Sequence, residues 1–188
     1  MEQKPTFSEK HLPIILLLLL SIGIYSNTFK HGFVLDDVAV LSHNELVKKG
    51  FGGVRGILTS RAWKGFEQNR KQVESYRPLS TAHFAIEYEF FGLNSGYFHI
   101  VQVLYFALLC VLIYWLLLEF FDNKYPYLAL VIALLFAAHP VHTDVVNNVK
   151  SRDELFALLN GVISCLLFFK YLKKQQVYLF VLAVFFYH

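Results

Sequence analysis

The apolar residues of this chain are gathered in long blocks, and each block predicts a membrane helix. The first block runs from Leu12 to about Phe29, with Pro13 near its start, where a helix tolerates proline. Four later blocks predict further helices, at about residues 97–121, 127–142, 155–172 and 177–188. The last block is shorter than the roughly twenty apolar residues that a span needs, so we expect the sequence to stop within a helix.

Two polar stretches, residues 30–95 and 139–154, lie between these blocks. In residues 44–63 the apolar positions have the spacing of one or two short amphipathic helices, which suits the membrane surface. Residues 79–91 are apolar and aromatic, but they are too short and too charged to span, since they include His83, Glu87 and Glu89. The pattern therefore predicts an all-α protein, a polytopic transmembrane helical bundle with short amphipathic helices in its first outer loop.

The amino-acid composition is typical of a protein that lies in a lipid membrane. The residues are 56% hydrophobic and 16% charged, with a mean hydropathy of +0.46. The net charge of +3 is too small and too scattered for a nucleic-acid-binding surface, so nucleic acid is excluded as a partner. Cys110 and Cys165 both lie inside apolar blocks, where packed thiols are expected rather than a disulfide or metal ligands.

The basic residues of the short loops predict the orientation in the membrane. If residues 1–11 are cytoplasmic, the inner side receives Lys4, Lys10, Lys124, Lys170, Lys173 and Lys174. The short outer loop then holds only Lys150 and Arg152. The polar stretches 30–95 and 139–154 would share the outer face, and residues 12–188 would form one membrane domain. No small-residue cleavage site follows the first block, so we expect an uncleaved first helix.

Two adjacent carboxylates, Asp36 and Asp37, follow the first predicted helix directly. Carboxylates are costly at a membrane boundary, and proximity to each other and partial desolvation both raise a carboxyl pKa. The pair is therefore a candidate general base or metal ligand. The alternative is an aspartate that caps a helix from Val38 onward, and the local sequence leaves both interpretations open.

Arg77 stands between Tyr76 and Pro78, in a turn or extended geometry. Its forked donors suit a phosphate group. The alternative is a surface arginine that precedes a helix.

A dense group of titratable residues occupies the second polar stretch: His139, His142, Asp144, Arg152, Asp153 and Glu154. His139, His142 and Asp144 could bind a metal ion, but their spacing matches no standard zinc motif, so a divalent metal is not favoured. We favour a pocket for an anionic headgroup. The alternative is a solvated loop in which Ser151 and Glu154 form a capping box. His99, near the start of the second long helix, either joins this pocket or packs between helices.

These motifs follow one another in a recognisable order: Asp-Asp, Tyr-Arg-Pro-Leu, Gly-Tyr-Phe-His, His-Pro-x-His-Thr-acid and Arg-x-Glu. In this order the chain resembles the N-terminal membrane region of O-mannosyltransferase-like proteins that carry C-terminal tetratricopeptide repeats. These proteins belong to the GT-C superfamily of lipid-phosphosugar-dependent glycosyltransferases. The resemblance covers roughly residues 10–188 and implies a GT-C-like fold.

Three motifs depart from the family pattern. The family's His-Thr-Glu ends in Asp144 here, its Gly-Arg-x-Glu begins with Ser151, and its His-x-x-Asn ends in Gln102. The donor and acceptor therefore stay open. The later helices and the repeats are absent from these residues, so we do not expect a complete active site.

The resemblance implies an inverting transfer of a mannose-like sugar from a polyprenyl phosphate to a hydroxyl of a protein or another acceptor on the outer face. Asp36 or Asp37 would be the base. The residues that would bind the donor phosphate are Arg77, His139, His142 and Arg152. The other pocket residues would be His99, Asp144 and Glu154. No particular cofactor is indicated, and a divalent metal is allowed but not favoured.

Two other functions compete with this one. A non-catalytic membrane scaffold or assembly subunit could use the same helices. A transporter ranks last, because its ionisable residues would lie near the bilayer midplane rather than at helix ends. Residues 150–155, Lys-Ser-Arg-Asp-Glu-Leu, resemble bacterial members of the family, so the bacterial inner membrane is favoured, and the endoplasmic reticulum is also allowed.

Overall fold

The computed structural model describes residues 7–34, 36–59 and 78–187, which form helices and no β-strand. In chain order the α-helices are α1 (Phe7–Tyr25), α2 (Phe51–Leu58), α3 (Pro78–Phe91), α4 (Ser95–Phe120), α5 (Pro126–Ala138), α6 (His142–Asn147), α7 (Arg152–Lys174) and α8 (Val177–Tyr187). Short 3-10 or π-helical turns occupy Ser26–Lys30, Val38–Ser42, Val47–Lys49 and Val149–Ser151. The predicted all-α fold class is confirmed.

Three helical stretches among the described residues are long and apolar enough to cross a membrane: His11–Lys30, Ser95–Phe120 and Val149–Lys174. α5 and α8 are shorter apolar helices. α5 ends at Ala138, before the position 142 that the apolar pattern suggested. His139 has an extended backbone, with φ −71° and ψ 128°, because the ring of Pro140 disfavours helical geometry in the residue before it.

The chain divides into two compact units. One unit, called here the membrane-helix unit, comprises residues 1–26, 103–143 and 155–188. The other, called the loop unit, comprises residues 27–102 and 144–154. The described part of the first polar stretch and residues 144–154 of the second therefore belong to the loop unit, although many residues separate them in sequence, whereas residues 139–143 belong to the membrane-helix unit.

The loop unit has an apolar core of its own, formed by Val40, Leu41, Val47, Ile57, Ala82, Phe84, Ala85, Phe98 and Val149. α2 and α3 pack on each other in this unit. Gly53 lies so close to the carbonyl oxygen of Leu46 that a Cβ atom would overlap it. The N-terminus of α2 is bound by α3, since the N–H of Phe51 donates to Glu89 Oε2 at 3.1 Å. The glycine-rich stretch thus forms a helix that packs tightly.

Candidate functional site

The acidic pair has one exposed and one buried member. Asp36 is exposed, whereas Asp37 has no exposed surface. The N–H of Lys150 donates to Asp37 Oδ1 at 2.7 Å. Oδ2 is buried, and it has no hydrogen-bond partner among the described residues. Asp37 thereby joins the first polar stretch to the second.

The interpretation of Asp37 as a helix cap is wrong. Its backbone is itself helical, with φ −56° and ψ −42°, and its side chain makes no capping hydrogen bond. A capping aspartate needs an extended backbone so that its side chain can turn back to the first free N–H groups. The carboxylate instead binds an N–H that lies 113 residues away in sequence.

Burial raises the pKa of the Asp37 carboxyl above its ordinary value. The backbone N–H of Lys150 opposes this shift by stabilising the ionised form, and the nearby charge of Asp36 adds to it. Asp37 is thus a carboxylate whose ionisation is disfavoured by its surroundings, as the sequence predicted for one member of the pair.

Arg152 is completely buried in the loop unit. Its Nε donates to Gln102 Oε1 at 2.9 Å, and its Nη2 donates to the carbonyl of Phe98 at 3.0 Å. Its Nη1 forms an ion pair with Glu87 Oε1. The guanidinium carbon lies 4.7 Å from the ring centroid of Phe84. Every nitrogen of this predicted phosphate-binding residue therefore contacts a protein acceptor.

Glu87 is the main site residue that the sequence analysis missed. Only 4% of its surface is exposed, and its Oε1 also lies 2.7 Å from Nδ1 of His83. The sequence showed it only as a charge that prevents residues 79–91 from spanning. An acid in the middle of a helix rich in apolar and aromatic residues was the available signal, since a buried acid requires a cation.

Gln102 connects Arg152 with the second polar stretch. Its Oε1 accepts from Arg152, while its Nε2 donates to the carbonyl of Val145 at 2.9 Å. His99, three residues earlier, is also buried, and its Nδ1 lies 2.9 Å from Thr28 Oγ1. This contact agrees with the helix-packing interpretation of His99.

The predicted histidine pair belongs to the membrane-helix unit. The rings of His139 and His142 are 6.1 Å apart. The His142 ring lies against Phe136 at 4.3 Å. The N–H of Val141 donates to His139 Nδ1 at 3.2 Å, so the proton of the neutral His139 ring is on Nε2. The role of the pair in donor binding stays a prediction.

Three predicted site residues remain: Asp144, Glu154 and Arg77. Asp144 and Glu154 are both exposed, in the first turns of α6 and α7. Arg77 lies outside the described residues. Among the residues that the structure describes, no group of three or more His, Cys, Asp or Glu side chains is arranged to hold a metal ion.

Comparison with known proteins identifies relatives of one kind. The chain is 36% identical over 137 residues to human Protein O-mannosyl-transferase TMTC1, which covers 72% of this chain and 15% of that protein. It is 28% identical over 144 residues to human Protein O-mannosyl-transferase TMTC3, covering 77% of this chain and 15% of that protein. It is 28% identical over 157 residues to human Protein O-mannosyl-transferase TMTC2, covering 83% of this chain and 18% of that protein.

Neither a family model nor a solved structure matches the chain. The matched relatives are much longer than the aligned part, which spans less than a fifth of each of the three. All three nevertheless align with more than two thirds of this chain. The chain belongs to the family of the TMTC protein O-mannosyl-transferases.

Proposed function

We propose that this chain is part of a glycosyltransferase that moves a mannose-like sugar from a polyprenyl phosphate to a hydroxyl of a protein acceptor, with inversion. The observation that carries the proposal is the acidic pair, in which an exposed carboxylate stands beside a buried one that is bonded to the second polar stretch. The relatives are named protein O-mannosyl-transferases, which supports the reaction class.

Asp36 is the base in this proposal. Its exposed carboxylate can reach an acceptor, whereas the Oδ1 atom of Asp37 is occupied by the N–H of Lys150. Asp36 takes the proton of the acceptor hydroxyl, and the hydroxyl oxygen forms a bond to the anomeric carbon. The bond from that carbon to the phosphate oxygen breaks, and its electron pair leaves with the lipid phosphate. Asp37 positions its neighbour.

The leaving phosphate needs cations or hydrogen-bond donors rather than an acid. We assign this role to Arg77, His139 and His142. The neutral His139 ring carries its proton on Nε2, which suits a donor to phosphate. No metal ion takes part in the proposed mechanism.

The proposal places the loop unit on the non-cytoplasmic face, in the bacterial inner membrane or the endoplasmic reticulum. The described part of the first polar stretch and residues 144–154 of the second belong to one compact unit, which supports a shared face for these residues. The test is cysteine labelling at positions 45 and 123, both exposed, in a Cys110→Ser/Cys165→Ser background. In intact cells an impermeant maleimide should label position 45 only. Labelling of position 123 alone would overturn the orientation.

The activity test compares Asp36→Asn with Asp37→Asn in the complete protein, using a radiolabelled polyprenyl-phosphate mannose donor. We expect Asp36→Asn to lower transfer at least about 100-fold, because the base is lost. Asp37→Asn should cost less, because Asn keeps an oxygen that accepts the N–H of Lys150. Glu45→Gln, an exposed change in the same unit, is the control. Unchanged transfer in both aspartate variants would overturn the proposal and favour the scaffold.

A further inference from the structure

We propose that Glu87 and Arg152 form a positioning pair that holds the Lys150 turn against Asp37 and so sets the place of Asp36. This inference rests on the function proposed above. It also gives Arg152 a role other than donor-phosphate binding, and it assigns a role to Glu87, which no motif of the sequence identified.

The pair is buried as a unit. Arg152 has no exposed surface and Glu87 has 4%. A buried guanidinium is tolerated when its donors have protein acceptors, and here Gln102 and the carbonyl of Phe98 bind the nitrogens that Glu87 does not. The acceptors come from α3 and α4, so three helices converge on this one side chain.

The Arg152 anchor lies directly beside the bond to Asp37. The 3-10 turn Val149–Ser151 ends one residue before Arg152, and the N–H of Lys150 in this turn donates to Asp37. Earlier in the same stretch, Gln102 holds the carbonyl of Val145. The second polar stretch is thereby fixed on both sides of the turn.

The same geometry argues against a phosphate on Arg152. A phosphate would have to replace Glu87, Gln102 or the Phe98 carbonyl, and the displaced carboxylate of Glu87 would stay buried without its cation. The fixed pair acts instead through Asp37. If it loosens, the Lys150 turn moves, and the carboxylate of Asp36 loses its alignment with the acceptor.

Four variants of the complete protein test this role: Glu87→Asp, Glu87→Gln, Arg152→Lys and the double variant Glu87→Gln/Arg152→Lys. Each single change should lower kcat about 10- to 100-fold, while the KM for the lipid donor changes less than about 3-fold. The double variant should be no worse than the poorer single variant, because both changes break one unit. Glu45→Gln, which breaks the exposed pair with Lys48, is the matched control and should leave both constants unchanged.

Hydrogen exchange provides a measurement that does not depend on activity. In detergent or nanodiscs, the peptide that contains Lys150 should exchange faster in Glu87→Gln and Arg152→Lys than in the parent or in Glu45→Gln. Glu87→Asp keeps the charge and shortens the side chain, so it tests the geometry if the other variants fail to fold. If Arg152→Lys raised the KM for the lipid donor and Glu87→Gln did not, the proposal would be overturned. Arg152 would then be a residue that binds the donor phosphate.

Unchanged exchange at Lys150 in all the folded variants would also overturn it. Failure of the proposed function has a different signature. Suppose that Asp36→Asn transfers sugar normally while Glu87→Gln still speeds hydrogen exchange in the peptide that contains Lys150. In that case Glu87 and Arg152 stabilise the structure only, and the proposal that Asp36 is the base is wrong.

Discussion

The two units of this protein are stabilised by different kinds of contact. Of the polar and charged residues that are buried in the described part of the chain, all except Ser21 lie in the loop unit. The membrane-helix unit buries mainly apolar and small side chains, such as Ala129, Ala133 and Ala137 on one face of α5. In lipid, close packing of small residues associates helices. The loop unit adds to its apolar core a set of buried hydrogen bonds between distant parts of the sequence.

This difference predicts in which unit a single substitution will reduce stability most. A surface ion pair contributes little, because water and salt screen it. A buried pair is costly to break, because one charge is left without a partner. The predictions below use this contrast, from the largest expected effect to the smallest.

Arg152→Met should destabilise the loop unit by about 3–5 kcal/mol, since it leaves the buried Glu87 carboxylate with only the His83 ring, among the described residues, as an ion-pair partner. The double change Glu87→Met/Arg152→Met should be less damaging than Arg152→Met alone, because no charge is then stranded. Denaturant unfolding in detergent measures both. A double variant that is as unstable as the sum of the two single variants would show that the two residues do not act as a pair.

Gly53→Ala should destabilise the loop unit by about 1–3 kcal/mol, because the new Cβ overlaps the Leu46 carbonyl, which is backbone and cannot rotate away. Gly52→Ala is the matched control in the same helix. Nothing lies within 4 Å of its Cβ position, so it should be neutral or stabilise by about 0.5–1 kcal/mol. Thermal unfolding of the two variants measures the difference, and equal midpoints would contradict the close approach.

Asp37 predicts a pH dependence of stability. Its folded pKa is raised by burial, so its contribution is fully present below the unfolded pKa of about 3.9 and is lost as the pH rises through the folded value. Asp37→Asn lacks this titration. The unfolding free energy of the parent should therefore fall relative to that of Asp37→Asn as the pH rises from 4 to 7. Parallel pH profiles of the two proteins would contradict the raised pKa.

Lys173→Gln should have the smallest effect, a change in the unfolding midpoint of less than about 1 °C. Lys173 pairs with Glu119 at 2.8 Å and with Asp122 at 3.0 Å, but 43% of its side chain is exposed. Lys174→Gln is the control on the same helix end. If Lys173→Gln lowered the stability as much as Arg152→Met does, the proposed contrast between the two units would be wrong.

Much of the fold could be predicted from the sequence. Runs of apolar residues located α1, α4 and α7, since a span needs a continuous apolar length that few other structures require. The end of α5 was misplaced, although the responsible residue, Pro140, was visible in the sequence. Its effect on His139 is local, but the apolar pattern alone extended the helix through it.

The sequence identified several residues of the candidate site, but it did not predict which of them contact each other. Asp36 and Asp37 were found as a pair, but the sequence could not tell which one is buried. Arg152 was found, but Glu87, which is 65 residues away in the chain, was not found as its partner. No spacing rule links two residues that meet only when separate helices pack together.

By itself, then, the sequence determined the all-α fold class, the apolar helices and the family, because these depend on local runs of residues and on the order of motifs. Only the tertiary structure decided that Asp37 is buried, that the Lys150 turn is its partner and that Arg152 belongs to an internal ion pair with Glu87. The physical reason is that burial and hydrogen bonding across long sequence separations arise from packing. An aspartate has the same chemistry in every chain until packing determines whether water or an N–H group faces its oxygens.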